Sequence, residues 1–346
     1  MRRVYILGGL LLALLCFSLA PTAAQDGPAD DDKAERPPAD TAKSPEMLFE
    51  LADPLGISMV SLGSRSAVFI DHLLARLTKE PSYTPTAGDK LSDDLEPAWQ
   101  SLEVHEKGGV EQGDLRAGYV YWQVECDAPM NLILDARGHS YVLVNGEPRG
   151  GDVYNRDRTK LPVALNQGIN RFFFKTGRGR LRAELWQRPA DVFVAPQDMT
   201  LPDYTFYGSY RRPPSYYYGG VIVSNASNEW VEGLELETAL VGVSEEDVPD
   251  ETERMRQALK TVTRPLPLLA PLSTNKICVE LPSALAGDNL RYWLMRERDE
   301  KISELNLAFR VKRGGKVLSE TPAKIRVIEK GKPYKETFWS SIDGTC

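Results

Sequence analysis

The alternation of apolar and polar side chains in residues 119–186 constrains the fold of this chain more than any other feature. Apolar side chains recur there at every second position, most clearly where Leu181, Ala183 and Leu185 alternate with charged residues. A period of two places successive side chains on opposite faces of a β-strand. Asn145-Gly146 adds a strong hairpin-turn signal, because both residues tolerate positive φ. Short strands separated by such turns predict an antiparallel β-sandwich.

A second β-rich stretch follows in residues 190–330. Residues 251–259 combine charged residues with an apolar stripe and predict one helix. The proline-rich run 264–272 cannot be a central strand, because proline has no N–H to donate to the ladder. The remaining strand-like runs predict a second sandwich and lie at residues 220–224, 234–238, 276–281, 305–311 and 323–328.

The predicted fold class is therefore mostly β, with two antiparallel β-sandwich modules, at residues 46–189 and 190–330, and few short helices. Residues 1–24 have the basic start, the apolar stretch and the small-residue end of a secretory signal peptide. Residues 25–45 are rich in Asp, Pro and Ala. They bury too little apolar surface to offset chain entropy, which predicts a disordered acidic tether.

These features predict a secreted protein or one of the periplasm and cell envelope. The formal net charge of −7 argues against nucleic acid as a partner. Once the signal peptide is cleaved, no remaining stretch is long and apolar enough to span a membrane. Cys126 and Cys278 both lie in apolar, strand-like runs. An oxidising compartment permits a disulfide between them, and two buried free thiols are the open alternative.

The sequence predicts no catalytic residue, no cofactor and no metal ligand. It contains no Gly-x-Ser-x-Gly elbow. His105 and His139 have no Cys, His or Glu at the spacing of a zinc site, and His72 is predicted to be a surface or packing residue. The Arg/Gly run 175–180 lacks the ending of a phosphate-binding loop. It predicts a glycine turn between two strands, with its arginines facing solvent.

The aromatic segment 204–218 is the candidate ligand or interdomain contact. Tyrosine offers a rigid apolar face with a polar tip, and arginine pairs with carboxylates or stacks on rings. Three interpretations stay open: a half-buried seam between modules or with a further domain, a contact with glycan or peptide, and no role. The candidate residues are Tyr204, Tyr207, Tyr210, Arg211, Arg212, Tyr216, Tyr217 and Tyr218.

The first module resembles the galactose-binding-like β-sandwich. The resemblance depends on residues 141–151, which contain a Val-Asn-Gly hairpin, and on Leu161-Pro162-Val163 and Gly168-Ile169-Asn170-Arg171-Phe172. It covers residues 46–187 and implies an accessory module of the kind attached to many secreted hydrolases, which either binds a ligand or only packs on a catalytic partner. The second module resembles an immunoglobulin-like or fibronectin-type sandwich by pattern.

The end of the sequence carries a further resemblance. Residues 337–345 resemble the phrase that opens the catalytic domain of secreted α/β-hydrolases of the prolyl-oligopeptidase and esterase type. Residues 331–346 are then the start of a C-terminal hydrolase domain that is missing from this chain. The resemblance implies a non-catalytic accessory region of a secreted serine hydrolase, a peptidase or an esterase. This region would position substrate or pack on the catalytic domain, its expected partner.

Two other functions stay open. A stand-alone carbohydrate-binding or envelope-associated protein would use segment 204–218 to contact its ligand. A glycosidase in its own right would need two carboxyl groups on either side of the scissile bond, and the sequence alone singles out no such pair.

Overall fold

The computed structural model describes residues 45–58, 70–93, 95–106, 108–111, 113–115, 117–152, 154, 156, 158–205, 218–241, 261–282 and 304–328. The predicted signal peptide, nearly all of the predicted tether, the predicted helix at 251–259 and residues 331–346 lie outside these ranges. The described residues belong to one compact unit. None of its helices has the length and apolar character needed to cross a membrane, as far as the described residues go.

The first half of the described chain forms a sandwich of two antiparallel sheets. Its strands are β1 (Met47–Glu50), β2 (Leu55–Ile57), β3 (Gln100–Ser101), β4 (Val110–Glu111), β5 (Tyr119–Cys126), β6 (Met130–Arg137), β7 (His139–Val144), β8 (Glu147–Gly150), β9 (Lys160–Leu165), β10 (Gly168–Thr176) and β11 (Arg180–Gln187). One sheet has the order β1-β11-β6-β9, with β4 also paired to β11. The other has the order β3-β2-β5-β10-β7-β8. A helix, α1 (His72–Lys79), and a 3-10 turn at Gly113–Leu115 complete this part.

The core of this sandwich lies between the two sheets and consists of the alternating side chains that the sequence predicts. Strand β5 contributes Val120, Trp122 and Val124, and β11 contributes Leu181, Ala183 and Leu185 from the opposite sheet. All six side chains are buried. Burying a large apolar side chain contributes about 1.5–3 kcal/mol, so this row of contacts is what holds the two sheets face to face.

The six-stranded sheet is also covered on its outer face. Tyr121 and Phe173 point away from the sandwich core and pack against Trp99 and Leu73, which come from the segment after α1 and from α1 itself. The Tyr121 and Phe173 rings lie 4.9 Å apart. Strand β5 is therefore apolar on both faces over its first four residues. A sheet that is buried on both sides has this composition.

The second half of the described chain forms another sandwich. Its strands are β12 (Val192–Thr200), β13 (Tyr204–Thr205), β14 (Tyr218–Asn225), β15 (Glu235–Val241), β16 (Thr261–Pro265), β17 (Ser273–Glu280), β18 (Glu304–Arg313) and β19 (Lys316–Ile328). The sheet orders are β12-β14-β17 and β13-β19-β18-β15-β16. All pairs are antiparallel except β13 with β19. The prediction of a mostly β chain built as antiparallel sandwiches is confirmed.

The proline-rich run begins in a strand at the edge of a sheet, where proline is tolerated. Pro265 ends β16, which occupies the edge of its sheet and pairs with β15 alone. An edge strand tolerates proline, because one side of the strand forms no ladder hydrogen bonds and needs no N–H donor there. The core behind this sheet includes Leu236, Leu307 and Phe309.

The disulfide between Cys126 and Cys278 does not form, and both residues are free thiols. Cys126 ends β5 inside the core of the first sandwich. Cys278 lies in β17 of the second sandwich, with an exposed side chain. The alternative of two buried thiols is thus right for Cys126 and wrong for Cys278. Strand-like patterns around both cysteines did not distinguish the core face of β17 from its solvent face.

The two sandwiches contact each other through an apolar patch. Ile133 on the outer face of β6 packs with Phe193 and Ala195 of β12 and with Ala226. The Asn131 side-chain amide donates a hydrogen bond to the carbonyl oxygen of Ala226 at 2.9 Å. Side chains alternate along β12, so Val192 and Val194 enter the core of the second sandwich while Phe193 and Ala195 face the first.

Candidate functional site

The aromatic segment of the sequence falls mostly outside the described residues. Tyr204 is the first residue of β13, and Tyr218 is the first residue of β14, with 58% of its surface exposed. The other candidates lie outside the described ranges, and the contact role of the segment stays a prediction. They are Tyr207, Tyr210, Arg211, Arg212, Tyr216 and Tyr217.

A different aromatic surface is formed by loops at one end of the first sandwich. Tyr154 lies in the loop between β8 and β9 and is 67% exposed. The guanidinium carbon of Arg156 lies 5.7 Å from the centre of the Tyr154 ring, and that of Arg178 lies 5.6 Å from it. These separations are within the range of cation–π attraction. We call Tyr154, Arg156 and Arg178 the arginine–tyrosine surface.

The loop that carries Tyr154 and Arg156 curves around a buried carboxylate. One side-chain oxygen of Asp152 accepts hydrogen bonds from the backbone N–H of Arg156 at 2.8 Å and of Arg158 at 3.5 Å. Asp152 itself is 6% exposed. Aspartate side chains commonly organise turns by accepting from backbone N–H groups a few residues ahead. The described arginine side chains of this loop, Arg156 and Arg158, are exposed to solvent.

Arg178 reaches the same surface from the turn between β10 and β11. This turn is the Arg/Gly run of the sequence, and the prediction of a glycine turn with a solvent-facing arginine is confirmed at Arg178. Gly138 joins the turn to the Tyr154 loop: its N–H donates to the Asp152 carbonyl at 2.9 Å, and its carbonyl accepts from the N–H of Gly177 at 3.3 Å. Only glycine fits at residue 138, because a Cβ there would lie 2.2 Å from the Arg180 carbonyl oxygen.

A buried histidine lies beneath these loops. His139 is 1% exposed, and both of its ring nitrogens lack a hydrogen-bond partner within the described part of the chain. Its ring packs edge to face on Phe174, with the ring centres 5.3 Å apart. Burial lowers the pKa of His139 to about 4, and the negative charge of Asp152 opposes that effect only in part. His139 is therefore a neutral packing residue at pH 7.

A cleft of about 200 Å³ lies where the two sandwiches meet, with residues of both in its lining. Strand β12 breaks its register with β14 between Ala195 and Thr200, and Asp198 takes a φ of 51° within the break. A bulge of this kind redirects a side chain. The Asp198 carboxylate forms ion pairs with Lys276 and Arg158: Oδ2 lies 2.9 Å from Lys276 Nζ, and Oδ1 lies 3.9 Å from a guanidinium nitrogen of Arg158. The polar residues that line the cleft are Arg158, Thr159, Lys160, Gln197, Asp198 and Thr274.

A further cluster of ionisable groups lies under α1. Lys175 pairs directly with Tyr119 on one neighbouring strand and with Tyr141 on the other, so the three side chains form one row across the sheet. The Asp71 carboxylate accepts from the Tyr119 hydroxyl at 2.8 Å and from Lys175 Nζ at 3.0 Å. Burial and the bonds to Tyr141 and Asp71 raise the pKa of Tyr119. The ionisable groups of this cluster bind one another, and Asp71 also caps α1, so the cluster anchors that helix to the sheet.

Among the described residues, no three His, Cys, Asp or Glu side chains are grouped so that they could hold a metal ion. The arginine–tyrosine surface was missed by sequence reasoning. The run 175–180 identified Arg178 as a solvent-facing arginine. Tyr154 lies in another loop, and only the tertiary structure brings the two residues together.

Comparison with solved structures finds similar chains among carbohydrate-active enzymes. The chain aligns with a protein assigned as a β-galactosidase from Bacteroides fragilis at 11% identity and a TM-score of 0.36, covering 82% of this chain and 41% of that one. A β-glucuronidase from Bacteroides uniformis aligns at 11% identity and 0.32, over 82% and 32%. An exo-chitosanase from Amycolatopsis orientalis aligns at 12% identity and 0.31, over 80% and 33%. The chain thus spans less than half the length of these proteins, and their activities are properties of those proteins.

No family model matches the sequence, and comparison with curated proteins finds no match either. The resemblance to α/β-hydrolases of the prolyl-oligopeptidase and esterase type is wrong: the similar solved structures include glycoside hydrolases of family 2. The phrase at residues 337–345 was too short to identify a family, and it lies outside the described residues. The fold places the chain in the β-sandwich class.

Proposed function

We propose that this chain is a non-catalytic β-sandwich region that binds a saccharide, as an accessory to a hydrolase of the cell envelope or the secreted fraction. The observation that carries the proposal is the exposed Tyr154 ring, which has two guanidinium groups 5.6 and 5.7 Å from its centre, on loops of the first sandwich. Tyrosine buries a flat apolar face against a ligand at a low cost in side-chain entropy, and its hydroxyl stays available for hydrogen bonding.

Hydrogen bonds made by described residues of the two loops support the same proposal. Binding sites on loops depend on a scaffold that fixes those loops before the ligand arrives. Here Asp152 orders one loop through backbone hydrogen bonds, and Gly138 connects it to the other. The cleft lined by Arg158 adds hydroxyl, amide and charged groups two residues along the chain from Arg156. Together they offer one apolar ring and several directional polar groups, which is the composition of a small-ligand site.

Affinity electrophoresis of the full chain through gels containing soluble polysaccharides tests the proposal. We expect at least one polysaccharide to retard the protein and Tyr154→Ala to weaken that retardation about tenfold, since loss of a central aromatic contact costs about 1–2 kcal/mol. Trp230→Ala is the matched control, because Trp230 is 64% exposed in the second sandwich and lies outside the surface. Absence of retardation in every gel would contradict the proposal, as would an equal loss in both variants.

A further inference from the structure

We propose that the ligand of the arginine–tyrosine surface is an acidic saccharide, recognised by its carboxylate or sulfate groups through Arg156 and Arg178. This inference rests on the proposed function and specifies its ligand class. The two guanidinium groups approach one ring from different loops, so their separation is set by the sandwich and not by a flexible side chain alone. Guanidinium groups present planar pairs of donors that match carboxylate and sulfate oxygens.

Several other arginines of the chain are neutralised by carboxylates. Arg180 pairs with Glu111, Arg310 pairs with Glu320, and Arg326 pairs with Asp203. Within the described part of the chain, the guanidinium groups of Arg156 and Arg178 contact the Tyr154 ring and no carboxylate. Their positive charge is therefore left for a partner. An anion placed beside the ring would meet both groups and complete their hydrogen bonding.

The charge of the whole chain indicates what kind of anion suits this surface. A formal net charge of −7 repels a long, densely charged polyanion such as nucleic acid. A local pair of arginines on such a chain selects a ligand whose charges are spaced and whose remaining surface is neutral. An acidic polysaccharide has this chemistry, since sugar rings and hydroxyl groups separate its anionic groups. The exposed tyrosine then contacts the sugar ring between them.

The test compares one polymer in two forms. Polygalacturonate carries a carboxylate on every sugar, and reduction of its carboxyl groups converts it to a neutral polymer of the same linkage. We expect the full chain to bind polygalacturonate at least tenfold more tightly than its reduced, neutral form, with binding weakened by added salt. The double variant Arg156→Gln/Arg178→Gln should remove this preference. Arg313→Gln is the control, because it removes one exposed charge from the second sandwich.

The outcomes separate the two proposals. Equal binding of the acidic and neutral polymers, with the double variant unchanged, would overturn the acidic ligand and leave saccharide binding intact. Binding of none of the polymers would overturn saccharide binding itself. A third outcome is that the wild type binds vesicles of phosphatidylglycerol and phosphatidylcholine, the double variant does not, and neither binds any polymer. This result would overturn both proposals in favour of a lipid headgroup as the ligand. Circular dichroism confirms that the variants are folded.

Discussion

His139 couples the loops beneath the arginine–tyrosine surface to pH. Its ring is buried against Phe174, and burial lowers its pKa from 6.5 to about 4. In the unfolded chain the residue regains its ordinary pKa and binds a proton more readily than in the fold. Between pH 6.5 and 4 the unfolded state therefore takes up more protons, and the folded state loses relative stability as the pH falls. Above pH 7 neither state is protonated and the effect vanishes.

We expect the wild-type chain to lose about 3 kcal/mol of unfolding free energy between pH 7 and pH 4 through His139 alone. Carboxyl groups titrate over the same range, so the comparison is with His139→Leu, which keeps an apolar side chain at this site and removes the titrating group. Urea unfolding at several pH values gives the difference between the two proteins. On acidification from pH 7 to pH 4, the unfolding free energy of His139→Leu should rise relative to that of the wild type by about 3 kcal/mol. Parallel pH profiles would show that His139 is not the cause.

Helix α1 depends on a single carboxylate at its start. One oxygen of Asp71 accepts from the backbone N–H groups of Leu73 and Leu74, at 3.1 and 3.2 Å, and caps the helix. The other oxygen accepts from Tyr119 and Lys175 on the sheet below. The same side chain thus caps the start of the helix and fixes it over the outer face of the six-stranded sheet. Lys175 also lies over the Tyr119 ring, with Nζ 4.3 Å from its centre.

Substitutions of Asp71 separate these two roles. Asp71→Ala removes the cap and leaves the Lys175 charge nearly buried without its partner, so we expect a loss of about 3–5 kcal/mol in unfolding free energy. Asp71→Asn keeps a capping oxygen, so its unfolding free energy should be about 1 kcal/mol higher than that of Asp71→Ala. Adding Lys175→Met to Asp71→Asn should restore part of the stability, because it removes the unpaired charge. Strict additivity of the two substitutions in thermal or urea unfolding would argue against the pair.

At the scale of the whole molecule, β12 joins the two sandwiches. Its alternating side chains serve two cores: Val194 packs inside the second sandwich, and Phe193 packs against Ile133 of the first. A second connection runs through the Ala226 carbonyl, which accepts from Asn131 at 2.9 Å and from Arg188 at 3.0 Å. One strand therefore links the stability of both sandwiches.

We expect Phe193→Ala to cost about 3–5 kcal/mol and to separate unfolding into two transitions in calorimetry, because it removes a buried aromatic ring from the apolar patch between the sandwiches. Val194→Ala is the matched substitution one position along the strand. It should lower the midpoint of the transition without splitting it, since Val194 lies inside one core. A single, unshifted transition in Phe193→Ala would show that the apolar patch does not couple the sandwiches.

The candidate site was less predictable from the sequence than the fold, for a physical reason. A turn such as Asn145-Gly146 is encoded locally, because its residues themselves adopt positive φ. The meeting of Tyr154 with Arg178 is not encoded locally: it needs β9 and β10 to be placed in different sheets before the two loops come together. The same holds for Asp71 and Lys175, which are 104 residues apart in the chain.

The sequence by itself determined that this chain forms antiparallel sandwiches, because a period of two in apolar side chains commits each strand to one buried face wherever it lies. It also excluded the proline-rich run from a central strand. The tertiary structure alone decided the position of Cys278 on an exposed face, the bulge that turns Asp198 into the cleft, and the arginines beside Tyr154. Strand alternation depends on neighbours in the chain, whereas a site depends on which loops the packed sheets bring together.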